Sequence, residues 1–374
     1  MYNNRDRILL LLLILTLIFS LFTIFIYSES SPRVSAKSAV LYEPETESFL
    51  YAKNENQKLG MASTTKIMTA HLALLLLDLD EPITVDSRAV GIEGSSIYLQ
   101  DGEIMRAVDL IYAVLLQSAN DAAAALAYRI SGTVEEFAAL MNEEARSYGL
   151  TDTNFTNPHG LDNPEHYTTA HDLAIISAKA LENPKFKEIA STYKKEVTSS
   201  HSTRILVNHN KMLNSYDGCI GVKTGYTKKC GRCLVSAADR DELRMISVTI
   251  DAPDDWSDHE KLLDYGYSIL ETKTLAYPGK FSFSLPVVNG DKEEITVENT
   301  EHVKKVFHKG DSEIQAQIYL TRYVAAPINE GDVIGEVIFT KDGAAIASVK
   351  LIAKESVDIK KQKRPLTKFK ADKR

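Results

Sequence analysis

The 374-residue chain has little cysteine, with only Cys219, Cys230 and Cys233. An odd number of cysteines leaves at least one thiol unpaired, which excludes a complete disulfide framework as the main source of stability. Cys230 and Cys233 form a C-x-x-C motif, but the motif lies between strand-like segments and not at a helix start that would lower a thiol pKa. We therefore expect the three cysteines to be small core residues rather than a redox centre.

The chain also lacks an excess of positive charge outside its C-terminus. The net charge is −8, whereas residues 360–374 carry eight basic residues and one acidic residue, so segment 28–359 has a net charge of −16. An acidic body repels phosphate, so we expect no nucleic-acid partner. The basic tail, residues 357–374, is interpreted as a solvated segment, and the alternative is attraction to anionic lipid headgroups or wall polymers.

Charged residues, glycine and proline are all absent from residues 8–27. A helix of about 20 apolar residues crosses a bilayer core of ~30 Å at ~1.5 Å per residue. Val34-Ser35-Ala36 offers a small-x-small cleavage site before Lys37. We expect residues 1–35 to be a membrane anchor or a signal segment, with an uncleaved anchor favoured. The remainder is expected to be exported, because basic residues precede the apolar run.

The order of predicted elements indicates the fold class. A β-hairpin, a block of helices, several strands and a closing helix predict an α/β (α+β) domain, in which helices flank both faces of an antiparallel sheet. Beyond Tyr277-Pro278-Gly279, short alternating runs separated by turns predict a small all-β domain. The helices are expected at residues 67–78, 106–117, 122–130, 134–148, 169–181 and 261–270. The predicted domains are an anchor or signal segment (1–35), a catalytic domain (36–273), a β-rich domain (274–356) and the basic tail (357–374).

Three short motifs carry candidate chemistry: Ser63-Thr64-Thr65-Lys66, Ser118-Ala119-Asn120 and Lys223-Thr224-Gly225. Residues three apart at a helix start share one face, so the Lys66 amine points back toward the Ser63 hydroxyl. An alcohol needs a base to become a nucleophile, and a buried lysine beside another cation has a lowered pKa and can be that base. Lys223 is the expected second cation. Taken singly, each motif is more often structural: a helix cap with a solvated lysine, an N-cap pair and a solvated strand edge.

The three motifs in this order and at these separations resemble those of the serine penicillin-recognising enzymes. Their neighbours, Met61–Thr69, Leu116–Ala122 and Gly221–Thr227, resemble those of the low-molecular-mass D-alanyl-D-alanine carboxypeptidases, a penicillin-binding protein family. The resemblance spans about residues 36–355. It implies a β-lactamase/transpeptidase-like fold with a trailing β domain. It also implies an enzyme that removes the terminal D-alanine from the peptidoglycan pentapeptide, is inhibited by β-lactams, and needs no metal or cofactor.

The resemblance also implies roles for the catalytic residues. Ser63 attacks the carbonyl between the two D-alanines and forms an acyl-enzyme, with Lys66 as its base. The Ser118 hydroxyl passes the proton toward the leaving amine, since it is both donor and acceptor. Asn120 binds the peptide carbonyl of the substrate and contacts Lys66.

On the opposite wall, Lys223 and Thr224 are expected to bind the terminal carboxylate of the substrate. Gly225 lets the strand lie close to the substrate backbone. The oxyanion hole is expected to use the backbone N–H groups of Ser63 and Tyr226. The loop Asn157–Asp162 also resembles a family loop and is interpreted as structural or substrate-flanking, with His159 and His166 in structural roles.

The chain departs from the family pattern at one binding residue and leaves alternatives open. Family members often carry an arginine after the third motif's strand pair that helps to hold the carboxylate, but the acidic stretch 251–259 contains none. A class A-like β-lactamase is disfavoured, because no Glu-x-x-Leu-Asn run lies between Asn120 and Lys223. Transpeptidase or endopeptidase activity stays open. A non-hydrolytic β-lactam-sensing or wall-binding ectodomain is the alternative outside enzymes.

Overall fold

The computed structural model describes residues 31–361, which form two compact units. Unit 1 contains residues 31–240 and 244–267, and unit 2 contains residues 241–243 and 268–361. The strand Leu270–Ala276 thus lies wholly in unit 2, whereas the predicted boundary at 273/274 divides it.

Unit 1 is built on one five-stranded sheet with the strand order β2-β1-β9-β8-β7. Strand β1 runs antiparallel to both β2 and β9, and β7 runs antiparallel to β8. Two small hairpins, β3-β4 and β5-β6, lie outside this sheet. The strands are β1 (Ser38–Glu43), β2 (Ser48–Lys53), β3 (Pro82–Thr84), β4 (Ile104–Arg106), β5 (Lys194–Thr198), β6 (Thr203–Val207), β7 (Cys219–Thr227), β8 (Gly231–Arg240) and β9 (Leu243–Ile250).

Eight α-helices of the described chain accompany this sheet. They are α1 (Lys66–Leu76), α2 (Ala107–Leu116), α3 (Asn120–Ser131), α4 (Val134–Ser147), α5 (Ala170–Glu182), α6 (Pro184–Ser191), α7 (Met212–Ser215) and α8 (Asp255–Ile269). Every residue of α2 is buried, and the core side of α3 is almost all alanine, so the helices pack closely around the middle of the unit.

Helices cover both faces of the sheet. Side chains alternate between the two faces along a strand. In β1, Val40 and Tyr42 belong to the core formed with α1, α2 and α3. Leu41 points to the other face, where its methyl group lies 2.9 Å from the position that a Cβ atom on Gly266 of α8 would take. The predicted fold class, an antiparallel sheet flanked by helices, is confirmed.

Three helices of unit 1 differ from their predictions, and one of them, the four-residue α7, was not predicted. Helix α8 begins at Asp255, six residues before the predicted start, because Asp255 and Asp258 in its first turn complement the positive end of the helix dipole. Helix α6 was not predicted either. Its start is fixed by Asn183, whose side chain accepts from two backbone N–H groups, and by Pro184 at the first helical position.

Unit 2 is all-β. A six-stranded sheet has the order β14-β16-β17-β12-β11-β15, and β10 pairs separately with β13. Two small apolar clusters stabilise it, one around Phe339 and one around Val297. The strands are β10 (Leu270–Ala276), β11 (Ser282–Val288), β12 (Glu294–Glu298), β13 (Val303–His308), β14 (Gln315–Leu320), β15 (Val324–Ala325), β16 (Val333–Lys341) and β17 (Ala344–Ala353).

The three cysteines are free thiols. Cys230 and Cys233 are buried in the core of unit 1, and Cys219 is half-buried.

No helix within residues 31–361 is long and apolar enough to cross a membrane. The apolar run 8–27 and the segment 362–374 lie outside the described residues. The predicted anchor therefore stays a prediction.

Candidate active site

Ser63 lies in a 3₁₀ turn, Ala62–Thr65, directly ahead of α1. Two hydroxyl groups fix this turn from within: Thr64 Oγ1 donates to the Met61 carbonyl at 2.6 Å, and Thr65 Oγ1 donates to the Ala62 carbonyl at 2.8 Å. Ala62 has a φ of 47°, which an L-residue adopts only at a cost. The turn that presents the serine is therefore strained and depends on its neighbours.

One of those neighbours is His166, from the loop that precedes α5. Its Nδ1 accepts from the Thr156 backbone N–H at 3.0 Å, which places the ring proton on Nε2. Nε2 lies 2.7 Å from Thr65 Oγ1 and donates to it. Burial lowers the pKa of His166 to about 4, so the ring is neutral at pH 7. His166 is thus a neutral link between this loop and the serine turn.

The same loop contacts the serine turn through Gly160. Gly160 has a φ of 88°, and a Cβ atom there would lie 1.9 Å from the Ala62 carbonyl oxygen. Only glycine fits, so the loop approaches the nucleophile backbone to backbone. The sequence predicts a structural or substrate-flanking loop, and the structure places this loop against the serine turn.

Lys66, the first residue of α1, is the centre of the site. Its side chain is fully buried, and Nζ lies 3.1 Å from Ser63 Oγ, 2.6 Å from Asn120 Oδ1 and 2.6 Å from the His159 carbonyl oxygen. Burial lowers the pKa of Lys66 well below its usual value, and the positive charge of Lys223 lowers it further. The lysine is therefore biased toward the neutral amine.

The partners of Lys66 determine which way the neutral amine points. Two of them, Asn120 Oδ1 and the His159 carbonyl, can only accept hydrogen bonds. They occupy the two N–H groups of a neutral amine, so its lone pair faces Ser63 Oγ. The arrangement can therefore accept the proton of the serine hydroxyl. The carbonyl of His159 carries no side-chain signature, and sequence analysis missed it.

The second motif lies at the junction between α2 and α3. Asn120 is held in one orientation, because its Nδ2 donates to the Glu93 carbonyl and its Oδ1 therefore faces Lys66. Ser118 has a φ of 59° and lines the same cavity as Ser63. Within the described chain, Ser118 forms no hydrogen bond to Lys66 or Ser63. The second motif thus contributes Asn120, which contacts Lys66, and Ser118, which lines the cavity.

The third motif lies on β7. Lys223 is 1 % exposed, and its Nζ donates to the Thr224 carbonyl at 2.9 Å. Burial lowers the pKa of Lys223 to about 7. Its charge acts on Lys66, as the sequence predicts, but Lys223 is not among the residues that line the cavity. Thr224, Gly225 and Tyr226 line the cavity themselves.

Gly225 brings β7 against the serine turn. A Cβ atom at Gly225 would lie 3.0 Å from the Ser63 backbone nitrogen and 3.2 Å from the Thr64 nitrogen. A side chain there would push the strand away from the nucleophile. The predicted convergence of the three motifs on one site is thus present in the structure.

The cavity at Ser63 has a volume of about 420 Å³. Its wall also contains polar and charged residues that sequence analysis did not select. These are Ser95, His209, Lys211, Arg232, Asp255 and Trp256. Arg232 and Asp255 form an ion pair of 2.8 Å. No motif marked these residues: Arg232 comes from β8, Asp255 and Trp256 from the start of a helix predicted too late, and the other three from loops.

Two family models match the chain. The model described as D-alanyl-D-alanine carboxypeptidase matches residues 26–254, and the model described as penicillin-binding protein 5, C-terminal domain, matches residues 270–358. The D-alanyl-D-alanine carboxypeptidase DacF of Bacillus subtilis is 34 % identical over 87 % of this chain and 86 % of its own length. The D-alanyl-D-alanine carboxypeptidase DacC of Escherichia coli is 33 % identical over 88 % of this chain and 86 % of its own length.

Solved structures show the same likeness. Penicillin-binding protein 5 from Haemophilus influenzae superposes with a TM-score of 0.64 and 32 % identity, over 87 % of this chain and 98 % of that one. A serine-to-alanine mutant of the Streptomyces K15 DD-transpeptidase has a TM-score of 0.61 and 30 % identity, over 64 % of this chain and all of that one. The resemblance found in the three motifs is confirmed over most of the chain, which belongs to the D-alanyl-D-alanine carboxypeptidase family.

Proposed function

We propose that this protein is a serine-type D-Ala-D-Ala carboxypeptidase that removes the terminal D-alanine from peptidoglycan pentapeptides. The observation that carries the proposal is the buried Lys66, whose Nζ lies 3.1 Å from Ser63 Oγ between two carbonyl acceptors. Membership of the carboxypeptidase family supports the substrate class.

Acylation starts when Ser63 Oγ attacks the carbonyl carbon of the penultimate D-alanine and Lys66 takes the hydroxyl proton. The bond to the terminal D-alanine breaks, and its amine needs a proton to leave. Ser118 lines the cavity beside Ser63 and relays that proton from Lys66. Water then hydrolyses the ester on Ser63, which completes the reaction and restores the hydroxyl.

The negative charge on the tetrahedral intermediate needs donors at the serine turn. The backbone N–H groups of Ser63 and Tyr226 are assigned to this oxyanion hole, since β7 lies so close to the turn that a Cβ atom at Gly225 would be 3.0 Å from the Ser63 nitrogen. The loss of one such donor lowers the rate by about 10²–10³-fold in other hydrolases. The Thr224 hydroxyl binds the terminal carboxylate, and the remaining N–H of Asn120 binds the substrate's peptide carbonyl.

A β-lactamase-like hydrolase is the second candidate, and the cavity argues against it. Fast release of a penicilloyl group needs a general base that activates water beside Ser63. Within residues 31–361, the one carboxylate that lines the cavity is Asp255, which is already paired with Arg232. We expect penicillin to acylate Ser63 and to leave slowly.

We further propose that the enzyme acts outside the cytoplasm, held to the membrane by residues 8–27. The run of uncharged apolar residues supports an anchor, and so does the structure of the chain that follows it. The Val34 carbonyl accepts from Lys53 Nζ, and Ser35 and Ala36 donate to the buried Asp258 carboxylate. Cleavage between Ala36 and Lys37 would remove these contacts and leave that carboxylate without them.

The proposal is tested by D-alanine release from a pentapeptide by the purified full-length chain. We expect activity in the wild type and none in Ser63→Ala, with Ser147→Ala, at an exposed position outside the cavity, as a control for loss of an unrelated hydroxyl. Mass spectrometry after penicillin labelling should show one adduct on Ser63 and an N-terminus ahead of Val34. A slowly decaying adduct without D-alanine release would favour a β-lactam sensor, and rapid penicillin turnover would favour a β-lactamase.

A further inference from the structure

We propose that Arg232 is the permanent cation that binds the terminal carboxylate of the substrate, and that Asp255 and Trp256 hold it in position. The inference rests on the proposed function and identifies a binding residue at the same site. It also answers a question that the sequence left open, since the stretch 251–259 lacks the arginine that the family resemblance leads one to expect.

The register of the sheet places Arg232 on the correct face. Tyr226 of β7 is directly opposite Arg232 of β8, and Thr224 is opposite Leu234. Directly opposed residues share a face of the sheet, and residues two apart on a strand share it too. Arg232 is therefore the diagonal neighbour of Thr224 on the face that lines the cavity. A long side chain spans a diagonal of this kind.

The guanidinium is held from one side only. Arg232 Nε and Nη2 lie 2.9 Å and 2.8 Å from Asp255 Oδ1, and the same oxygen accepts from the Trp256 N–H at 3.0 Å. The guanidinium carbon lies 5.8 Å from the centre of the Trp256 ring. Asp255 is buried, whereas 42 % of the Arg232 side chain is exposed. The other edge, formed by Nη1 and Nη2, keeps N–H groups for a forked contact with a second carboxylate.

Other cations near the cavity serve this purpose less well. Lys223 is buried, does not line the cavity and donates to the Thr224 carbonyl, and burial lowers its pKa to about 7, so it is only partly charged at neutral pH. Lys211 lines the cavity, but within residues 31–361 its side chain has no ion-pair partner to hold it. Arginine stays charged throughout the working pH range. Arg232 is thus the one cavity cation that is both permanently charged and fixed.

Because the ion pair with Asp255 is neutral overall, Arg232 acts by short-range hydrogen bonds and not by long-range attraction. Its effect must therefore depend on the chemical group at the substrate terminus. A peptide that ends in a carboxylate gains the forked contact. A peptide that ends in a carboxamide loses most of it, although the two peptides have nearly the same size and shape.

The test measures kcat/KM of the full-length enzyme for diacetyl-L-Lys-D-Ala-D-Ala and for the same peptide ending in D-alaninamide. Arg232→Gln is expected to lower kcat/KM for the carboxylate peptide by about 10- to 100-fold, as for the loss of a charge-assisted hydrogen bond. The amide peptide should change little. Arg232→Lys should recover only part of the loss, since an ammonium cannot form the fork.

Asp255→Asn tests the positioning role. It should weaken the carboxylate preference in the wild type and have no further effect on that preference in the Arg232→Gln background. Lys228→Gln removes an exposed cation from the β7–β8 turn outside the cavity and should retain the wild-type preference. Melting temperatures identify any variant that fails to fold, and the ratio of the two substrates within each variant cancels a loss of active enzyme.

Equal losses on both peptides, no loss in Arg232→Gln, or a selective loss in Lys211→Gln instead would overturn the assignment. These outcomes are distinct from failure of the proposed function. If the proposed function fails, the wild type releases neither D-alanine from the carboxylate peptide nor D-alaninamide from the amide peptide, and penicillin does not label Ser63.

Discussion

Protonation of His166 should destabilise unit 1 in acid by an amount that the structure allows us to estimate. Nδ1 accepts from the Thr156 N–H and cannot do so when protonated. Burial lowers the pKa of His166 from 6.5 to about 4 in the folded protein, and the positive charge of Lys66 acts in the same direction. Between these values the unfolded chain binds a proton that the folded chain does not. The contribution of neutral His166 to the free energy of unfolding is thus fully present above about pH 6.5 and decreases as the pH falls toward 4.

The size of the effect follows from the same two pKa values. At about pH 5 the linkage amounts to roughly 2 kcal/mol lost from the free energy of unfolding through His166 alone. His159 and His259 also have lowered pKa values, each about 3, so the wild type loses more than this in total. A His166→Gln variant removes only the His166 part. Glutamine keeps a donor for Thr65 and has no titratable group.

The assay is urea unfolding at about pH 7.5 and about pH 5, followed by tryptophan fluorescence. Trp256 is the one tryptophan of the chain and lies in unit 1, so the signal reports on that unit. His166→Gln should be less stable than the wild type at the higher pH but should lose about 2 kcal/mol less on acidification. His201→Gln, at an exposed position, should follow the wild type. Identical pH dependence in the wild type and His166→Gln would refute the assigned tautomer and its link to the serine turn.

Three further substitutions test close approaches at the site and ahead of β1. Gly160→Ala places a methyl group 1.9 Å from the Ala62 carbonyl oxygen, so penicillin acylation should fall at least tenfold, or roughly 1.4 kcal/mol. Gly225→Val crowds the Ser63 nitrogen at 3.0 Å and should lower kcat by about 10²–10³-fold, with a smaller effect on the melting temperature. Asp258→Asn weakens three hydrogen bonds from the chain ahead of β1 and should cost about 1–3 kcal/mol in urea unfolding, without a change in kcat. An unchanged acylation rate in Gly160→Ala, an unchanged kcat in Gly225→Val or an unchanged free energy of unfolding in Asp258→Asn would contradict the corresponding contact.

The sequence predicts the part of the site that depends on side-chain spacing along one element. Ser63 and Lys66 are three residues apart at a helix start, so their proximity follows from helix geometry, and their atoms lie 3.1 Å apart. The small residue Gly225 predicts a close approach, and in the structure a Cβ atom added at Gly225 would lie only 3.0 Å from the Ser63 nitrogen. The helices α2 and α3 were also predicted within two residues of their observed ends, because long apolar and alanine-rich runs leave little choice.

The sequence does not predict the contacts that depend on tertiary structure. The helix that begins at Asp255 starts in a stretch too polar for a helical period to be recognised. The sequence therefore gives no indication that Asp255 pairs with Arg232. The His166 link to Thr65 spans 101 residues of sequence. A lone histidine in a loop gives no indication of such a partner.

The surroundings of Lys66 are compatible with its proposed role as a base, although its hydrogen-bond acceptors would also suit an ammonium ion. Three acceptors at hydrogen-bond distance would hold a protonated lysine well, and burial together with Lys223 opposes this. The balance is useful for catalysis, because both protonation states find partners. The neutral amine points its lone pair at Ser63, and the ammonium formed after proton transfer is held by Asn120 and the His159 carbonyl. Lys66 can therefore take and return the proton without moving, and only the proton is displaced during acylation.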